Sequence, residues 1–443
     1  MLLEFRVKNF LSIKDEVCLD LKATNITDFG DTNLIHTERY NVLKGAVIYG
    51  ANSSGKSNLI KAMSTMRRIV FQSFEKSSTS DLNIEPFLLD TVSETEPSFF
   101  EVTFLLNNIK YRYGFELTNS RIKAEWLMEA KKIAEKYLFV REDDGIDVSP
   151  QYKEAKDLEE KTRDNALFLS VIDQFNGKLA NQIMKWFDNF ITISGLRHER
   201  YKSVTFEMLE KEESKHLLQS FYNDLDLGFN NVAIKKKDFN SSDIPDDMPE
   251  HIVKQLVSDL EGKKIVNVNK KRNPLNNSLT DVEFDMRSQE SSGTNKVFNI
   301  SGPIFDVLTD GGILVIDELD ASLHPLLTLS ITRLFNSIQH NPKNAQLIFS
   351  THDTNLFSYG KSVVTNEEKI KLITIYNYLF SKKQPMRLLE EICVFYKKNT
   401  YYPQTTIKDK PISSRNTSGN YFSRTQNKIY TNNLNYPTHL LEY

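Results

Sequence analysis

At 443 residues, with 40% hydrophobic and 26% charged content, the chain can hold two or three domains with a buried core, and its composition is that of an ordinary globular protein. No apolar run is long enough for a membrane span, and the charged start Met1-Leu2-Leu3-Glu4-Phe5-Arg6 does not read as a secretory leader. Two distant cysteines, Cys18 and Cys393, exclude a disulfide framework and fit a reducing cytoplasm.

The net charge of −3 is uneven. Residues 361–443 carry a balance of +7 and residues 1–360 a balance of −10, so any nucleic-acid surface has to be local. In chain order, residues 2–8 alternate, with Leu3, Phe5 and Val7 on one side, and predict a half-buried strand. Val17–Leu21 predicts a second. Gly45–Tyr49 is a short apolar strand that runs into a glycine loop, and Ser57–Phe74 reads as a helix striped by Leu59, Ile60, Met63, Met66 and Val70. Residues 99–106 and 109–117 predict a hairpin closed at Asn107-Asn108.

Residues 122–142 read as mixed strand and helix, and 151–230 as largely helical. The polar stretch 236–280 holds Pro245, Pro249, Pro274 and the basic run Lys270-Lys271-Arg272, read as a short solvated charge run. Asn295–Leu308 predicts a helix, Gly312–Asp317 a buried strand ending in acid, 323–340 a helix, and Ala345–Ser350 another apolar strand. Strands alternating with helices imply an α/β fold around a parallel sheet. The resulting division is a first lobe at 1–120, a mostly helical insertion or lid at 121–285, a second lobe at 286–360, and a basic tail at 361–443.

Four stations carry the chemistry. Gly50-Ala51-Asn52-Ser53-Ser54-Gly55-Lys56-Ser57 matches the pattern Gly-x4-Gly-Lys-Ser in full, between a strand and a helix. Amides of 52–57 at a helix N-terminus suit a phosphate. Lys56 suits the β- and γ-phosphates of ATP, and the Ser57 hydroxyl suits Mg²⁺. Asp317-Glu318 ends an apolar strand: Asp317 fits the metal side, and Glu318 can orient or deprotonate an attacking water. His352, after the next core strand, suits a γ-phosphate sensor. Glu290-Ser291-Ser292-Gly293-Thr294 precedes a helix and offers amides and a hydroxyl to an anion; alone it reads equally as a capped helix start with Ser292 as the cap.

In this order the stations resemble the ABC-type ATPases of the SMC/RecF class, and more closely the AAA-ATPase-like proteins linked to bacterial abortive phage infection. Phe5–Ser12, Gly50–Asn58, Phe100–Phe104, Arg112–Phe115, Thr162–Ser170, Glu290–Thr294, Asp317–Pro325 and Ser350–Asn355 carry the resemblance, which covers about residues 1–360. It implies a P-loop ABC-type head with a mixed or parallel core sheet, an antiparallel β subdomain and a helical insertion. It also implies ATP with Mg²⁺ sandwiched between two protomers, with Ser292 and Gly293 contacting the γ-phosphate in trans, Thr294 among the nucleotide-binding residues and Asp320 crossing the interface. A neighbouring effector is a further implied partner.

Two departures stand out. The signature reads Ser-Ser-Gly-Thr, a form common in this family, and no glutamine can be placed at the Q-loop. Beyond Gly360 the family continues Arg-Arg-Asp-Gln, whereas this chain reads Val363-Val364-Thr365-Asn366 and then concentrates 9 of its 18 tyrosines in 361–443. One expectation is a frame shift: codons CGT-CGT-GAC-CAA for Arg-Arg-Asp-Gln, read one base on, give Val-Val-Thr followed by Asn or Lys; a genuine, divergent basic tail is the alternative, and the gene's nucleotide sequence decides between them. Three functions follow as expectations: a dimeric ATP-hydrolysing switch in anti-phage defence, a RecF-like DNA-maintenance ATPase, or a non-catalytic module that uses ATP as structural glue.

Overall fold

The computed structural model describes residues 1–23, 33–143, 145–225, 227, 231–236, 263–272, 279–353 and 372–374. The chain opens with β1 (Leu2–Lys8), β2 (Val17–Asp20), β3 (Leu34–His36), β4 (Asn41–Leu43) and β5 (Gly45–Tyr49), and α1 (Lys56–Gln72) follows the glycine loop. Next come β6 (Ser98–Leu106), β7 (Ile109–Leu117), β8 (Ile122–Ala130), β9 (Lys136–Glu142) and β10 (Gly145–Val148). These build a seven-stranded sheet in the order β10-β9-β8-β7-β6-β1-β2, antiparallel throughout. The hairpin closes as expected, with Leu106 opposite Ile109 and both Asn107 (φ 52°) and Asn108 (φ 61°) left-handed, as a two-residue turn of that twist demands.

The second half supplies α2 (Phe168–Gln174), α3 (Lys178–Asp188), β11 (Phe190–Ser194), α4 (Lys202–Glu210), α5 (Glu212–Asp224), β12 (Asn231–Lys236), β13 (Lys263–Arg272) and β14 (Leu279–Asp285). It ends with α6 (Met286–Gln289), α7 (Ser292–Asp310), β15 (Ile313–Asp317), α8 (Pro325–Asn336), β16 (Gln346–Ser350) and β17 (Leu372–Thr374). The central sheet is parallel, in the order β11-β15-β16-β5-β17. Its inner strands β15, β16 and β5 are buried on both faces, which is why they read as unbroken apolar runs. Alternate residues separate the two cores: Ala46, Ile48, Ile313, Val315 and Ile348 pack on the side of α1, and Val47, Tyr49, Leu314, Ile316, Leu347 and Phe349 on the side of α7. Gln346, wholly buried, ties the two sheets: its Oε1 accepts from Leu2 N (2.6 Å) and its Nε2 donates to Leu2 O (3.1 Å) and Leu43 O (3.0 Å).

The middle of the chain differs from the sequence reading. Residues 122–142 contain strands β8 and β9 and no helix. The stretch 121–285, expected to be mostly helical, is divided between helix and strand, and its β11 forms an edge of the central sheet against β15. Lys270-Lys271-Arg272 lies on β13, with Lys270 opposite Asp281, in a three-stranded antiparallel sheet β12-β13-β14. Polar strands of this kind carry too weak an alternation to be seen against a charged background.

Helix α7 holds Pro303 in its interior, which removes one intrahelical donor. Thr205 of α4 compensates: its hydroxyl is within donating distance of Asn299 O (3.2 Å), the carbonyl that Pro303 cannot serve, and of Phe298 O (3.0 Å). Among the described residues no helix is long and apolar enough to cross a membrane. Apart from Leu372–Thr374, which runs parallel to Val47–Tyr49, the expected basic tail lies outside the described residues.

Candidate functional site

Strand β5 delivers the chain to Gly50, and two left-handed residues, Ser53 (φ 63°) and Gly55 (φ 93°), fold the loop back so that α1 can start at Lys56. Gly55 is the N-cap, and no side chain caps the first turn. The Ser54 hydroxyl is buried without a partner. An uncapped helix start beside an orphaned hydroxyl is what an anion would satisfy. Asn52 and Ser53 are exposed at the loop tip. Lys56 is 5% exposed, and its Nζ donates to Gly50 O (2.8 Å) and Ala51 O (3.0 Å), folding over its own loop. Burial lowers its pKa, while Asp317, Glu318 and Asp320 pull it back up. Asn58 donates from Nδ2 to Ser12 Oγ (2.6 Å), fixing the start of α1 to the turn after β1.

Three elements meet at Asp317. Ser57 Oγ donates to Asp317 Oδ1 at 3.1 Å, and Ser350 Oγ donates to the same oxygen at 2.7 Å. The Glu318 amide in turn donates to Ser350 Oγ at 2.7 Å. The arrangement follows from topology: β15 and β16 are parallel neighbours in register, so their ends, Asp317 and Ser350, arrive together beside the start of α1. Glu318 itself is left-handed, with φ 54°.

The other two stations lie around the turn that follows. Asp320 Oδ2 accepts from the His352 amide (3.2 Å), its Oδ1 is buried and unpartnered, and His352 is exposed. The cap of α7 is Ser291, not Ser292: Ser291 Oγ accepts from Thr294 N at 3.1 Å. That leaves Ser292 exposed in the first turn. Gly293 lies so close to the turn that a Cβ there would stand 2.7 Å from Ser322 O. Among the described residues no hydrogen bond or ion pair joins Ser292–Thr294 to Gly50–Asn58 of the same chain.

Three participants escaped the sequence reading. Ser350 is the bridge between Asp317 and the Glu318 amide. Lys296 is fully buried and donates from Nζ to the carbonyls of Glu318 (3.0 Å), Leu319 (2.9 Å) and Ala321 (2.7 Å). Burial pushes its ammonium down to about 8, against the opposing pull of Asp320 and Glu318. Gly195, just after β11, donates its amide to Asp317 O (2.7 Å). The only signal for β11 was the alternation in Phe190-Ile191-Thr192-Ile193-Ser194, which was absorbed into a helical stretch.

The donor set fits a hard divalent ion bound with phosphate. Among the described residues no cluster of three or more His, Cys, Asp or Glu could hold a metal alone, whereas Ser57 Oγ and Asp317 Oδ1 form an oxygen pair of the kind that leaves Mg²⁺ most of its shell for water and phosphate.

A parallel central sheet, a strand leading through a glycine loop into a helix, and an acid-ended strand two places along define an α/β domain of the P-loop ATPase class. Residues 46–358 match the family described as "AAA domain, putative AbiEii toxin, Type IV TA system", and the chain belongs to that family. Proteins of this class bind ATP with Mg²⁺. Among solved structures the chain is similar to an SMC head bound to the C-terminal winged-helix domain of ScpA (12% identity, 85% of this chain and 95% of that one, TM-score 0.41). It is also similar to the SMC head domain from Thermotoga maritima (15% identity, the same coverages of 85% and 95%, TM-score 0.36). No curated protein matches the chain.

Proposed function

We propose that this chain is an ATP-binding and ATP-hydrolysing switch whose catalytic site closes between two copies, and that it acts in the cytoplasm in anti-phage abortive infection by controlling an effector. The single observation that carries the catalytic part is the bonded set Ser57–Asp317–Ser350–Glu318, which joins the helix of the glycine loop to the acid-ended strand. The defence role draws on the family's description, which names an AbiEii-type toxin.

In this reading, residues 1–120 and 286–360 are the two ATPase lobes, and 121–285 spans between them. Gly50, the amides of Asn52–Ser57 and the Lys56 ammonium hold the triphosphate, and Asn58 secures the start of α1. Ser57 and Asp317 hold Mg²⁺, which supplies charge neutralisation at the phosphates when bound. Glu318 accepts a proton from the attacking water as the γ-phosphate bond breaks, giving ADP and phosphate. His352 reports on the γ-phosphate. Ser292, Gly293, Thr294 and Asp320 serve the nucleotide of the second copy. That no hydrogen bond or ion pair among the described residues joins Ser292–Thr294 to their own glycine loop supports that reading.

The test is turnover of ATP with Mg²⁺ by the full chain. Lys56→Ala should lose nucleotide binding, and Glu318→Gln should keep binding while turnover falls by ~10²-fold or more. Undiminished turnover in Glu318→Gln would remove Glu318 from the role of water-activating group.

A further inference from the structure

A lysine with no exposed surface is costly unless every donor is used, and Lys296 uses its donors on a single turn of chain. Residues 318–322 form that turn. It begins at Glu318 (φ 54°) and holds Ser322 (φ 60°), two left-handed residues that lack a glycine's freedom. Such a conformation persists only where the surroundings over-determine it. Here the surroundings are one face of the first turns of α7. Gly293 and Lys296 are three residues apart and therefore neighbours on the helix surface. Gly293 packs on the Ser322 carbonyl, and Lys296 gathers the carbonyls of Glu318, Leu319 and Ala321. Gly195 closes the other side, leaving no room even for a methyl group, since a Cβ there would stand 2.1 Å from Glu318 O and 2.7 Å from Lys296 Nζ.

We propose that Lys296 is a positioning residue for Glu318, and that it locks the Glu318 turn to α7 so that contact of Ser292–Thr294 with the nucleotide of a second copy is felt at Glu318 of their own site. The two sites of a dimer then fire cooperatively. This rests on the dimeric hydrolytic reading above.

Lys296→Met keeps the bulk of the side chain and removes its donors. The full chain, Lys296→Met and Lys296→Arg should be compared by thermal melting, by titration with a fluorescent ATP analogue, and by steady-state turnover against ATP concentration. In Lys296→Met, kcat should fall at least ~10-fold while the dissociation constant for the analogue stays within about threefold, the signature of a displaced catalytic group. The Hill coefficient of turnover, above ~1 in the unaltered chain, should drop to ~1. Lys296→Arg, which keeps charge and donors, should recover part of kcat.

A folded Lys296→Met with unchanged kcat overturns the positioning role. A reduced kcat with unchanged cooperativity overturns the coupling. Should Lys296→Met lose its melting transition, Lys296→Arg decides the positioning role: partial kcat supports it, and full loss with intact binding and folding overturns it. Absence of turnover in the unaltered chain overturns the hydrolytic reading itself, and this inference with it.

Discussion

At the scale of single residues, Glu125 shows how a buried charge-bearing group is held by several partners at once. Glu125 is wholly buried and accepts from Tyr113 Oη (2.9 Å) and from the amides of Phe168 (2.6 Å) and Leu169 (3.0 Å), so it completes the start of α2 from a distant strand. Glu125→Ala leaves two amides and a phenol without partners and should cost about 3 kcal/mol or more in denaturant unfolding. Burial pushes the Glu125 carboxyl up, with Arg141 and the three hydrogen bonds opposing. The folded chain therefore holds this proton to higher pH than the unfolded chain. Its contribution to stability is full below the unfolded value of ~4.3 and is lost as pH rises through the folded value. Thermal unfolding of Glu125→Gln should accordingly vary less with pH above ~4.3 than that of the natural chain.

Gly195→Ala forces a methyl group onto the Glu318 and Asp317 carbonyls and should cost ~1–3 kcal/mol, with turnover falling more than nucleotide binding. Unchanged melting and turnover would show that the turn can yield. The residues of the glycine loop and the acid pair were legible because their chemistry dictates residue types at fixed spacing. Lys296, Ser350 and Gly195 were not, because their roles come from contacts between segments far apart in the chain.

At the scale of elements, legibility followed the strength of the apolar pattern. The β6–β7 hairpin was readable from two strongly apolar strands and a two-asparagine turn. Because Asn108 is left-handed, Asn108→Val should destabilise the chain by ~1–2 kcal/mol, while Asn108→Gly should be nearly neutral, as measured by urea unfolding. Strands β12–β14 were missed because lysine, asparagine, aspartate and glutamate interrupt their apolar positions, and the structure defines them by their pairing. Strand β11 was missed for a different reason. It is short, lies between two helices, and earns its place only by pairing with β15.

At the scale of the whole molecule, the central parallel sheet separates two cores, and the stretch read as an insertion contributes strands to both large sheets. The site lies where that sheet ends. One half, Lys56, Ser57, Asp317 and Glu318, is gathered within the chain. Among the described residues, no hydrogen bond or ion pair joins the other half, Ser292–Thr294, to it in the same chain. On the proposed reading the second half is offered to another copy, and ATP is the bond between them.

The most direct measurement is the light-scattering mass of Glu318→Gln in solution with Mg²⁺, with and without ATP, alongside Lys56→Ala. The account predicts a mass that doubles on adding ATP in Glu318→Gln and does not change in Lys56→Ala. A Glu318→Gln chain that binds ATP and stays at its original mass would contradict it.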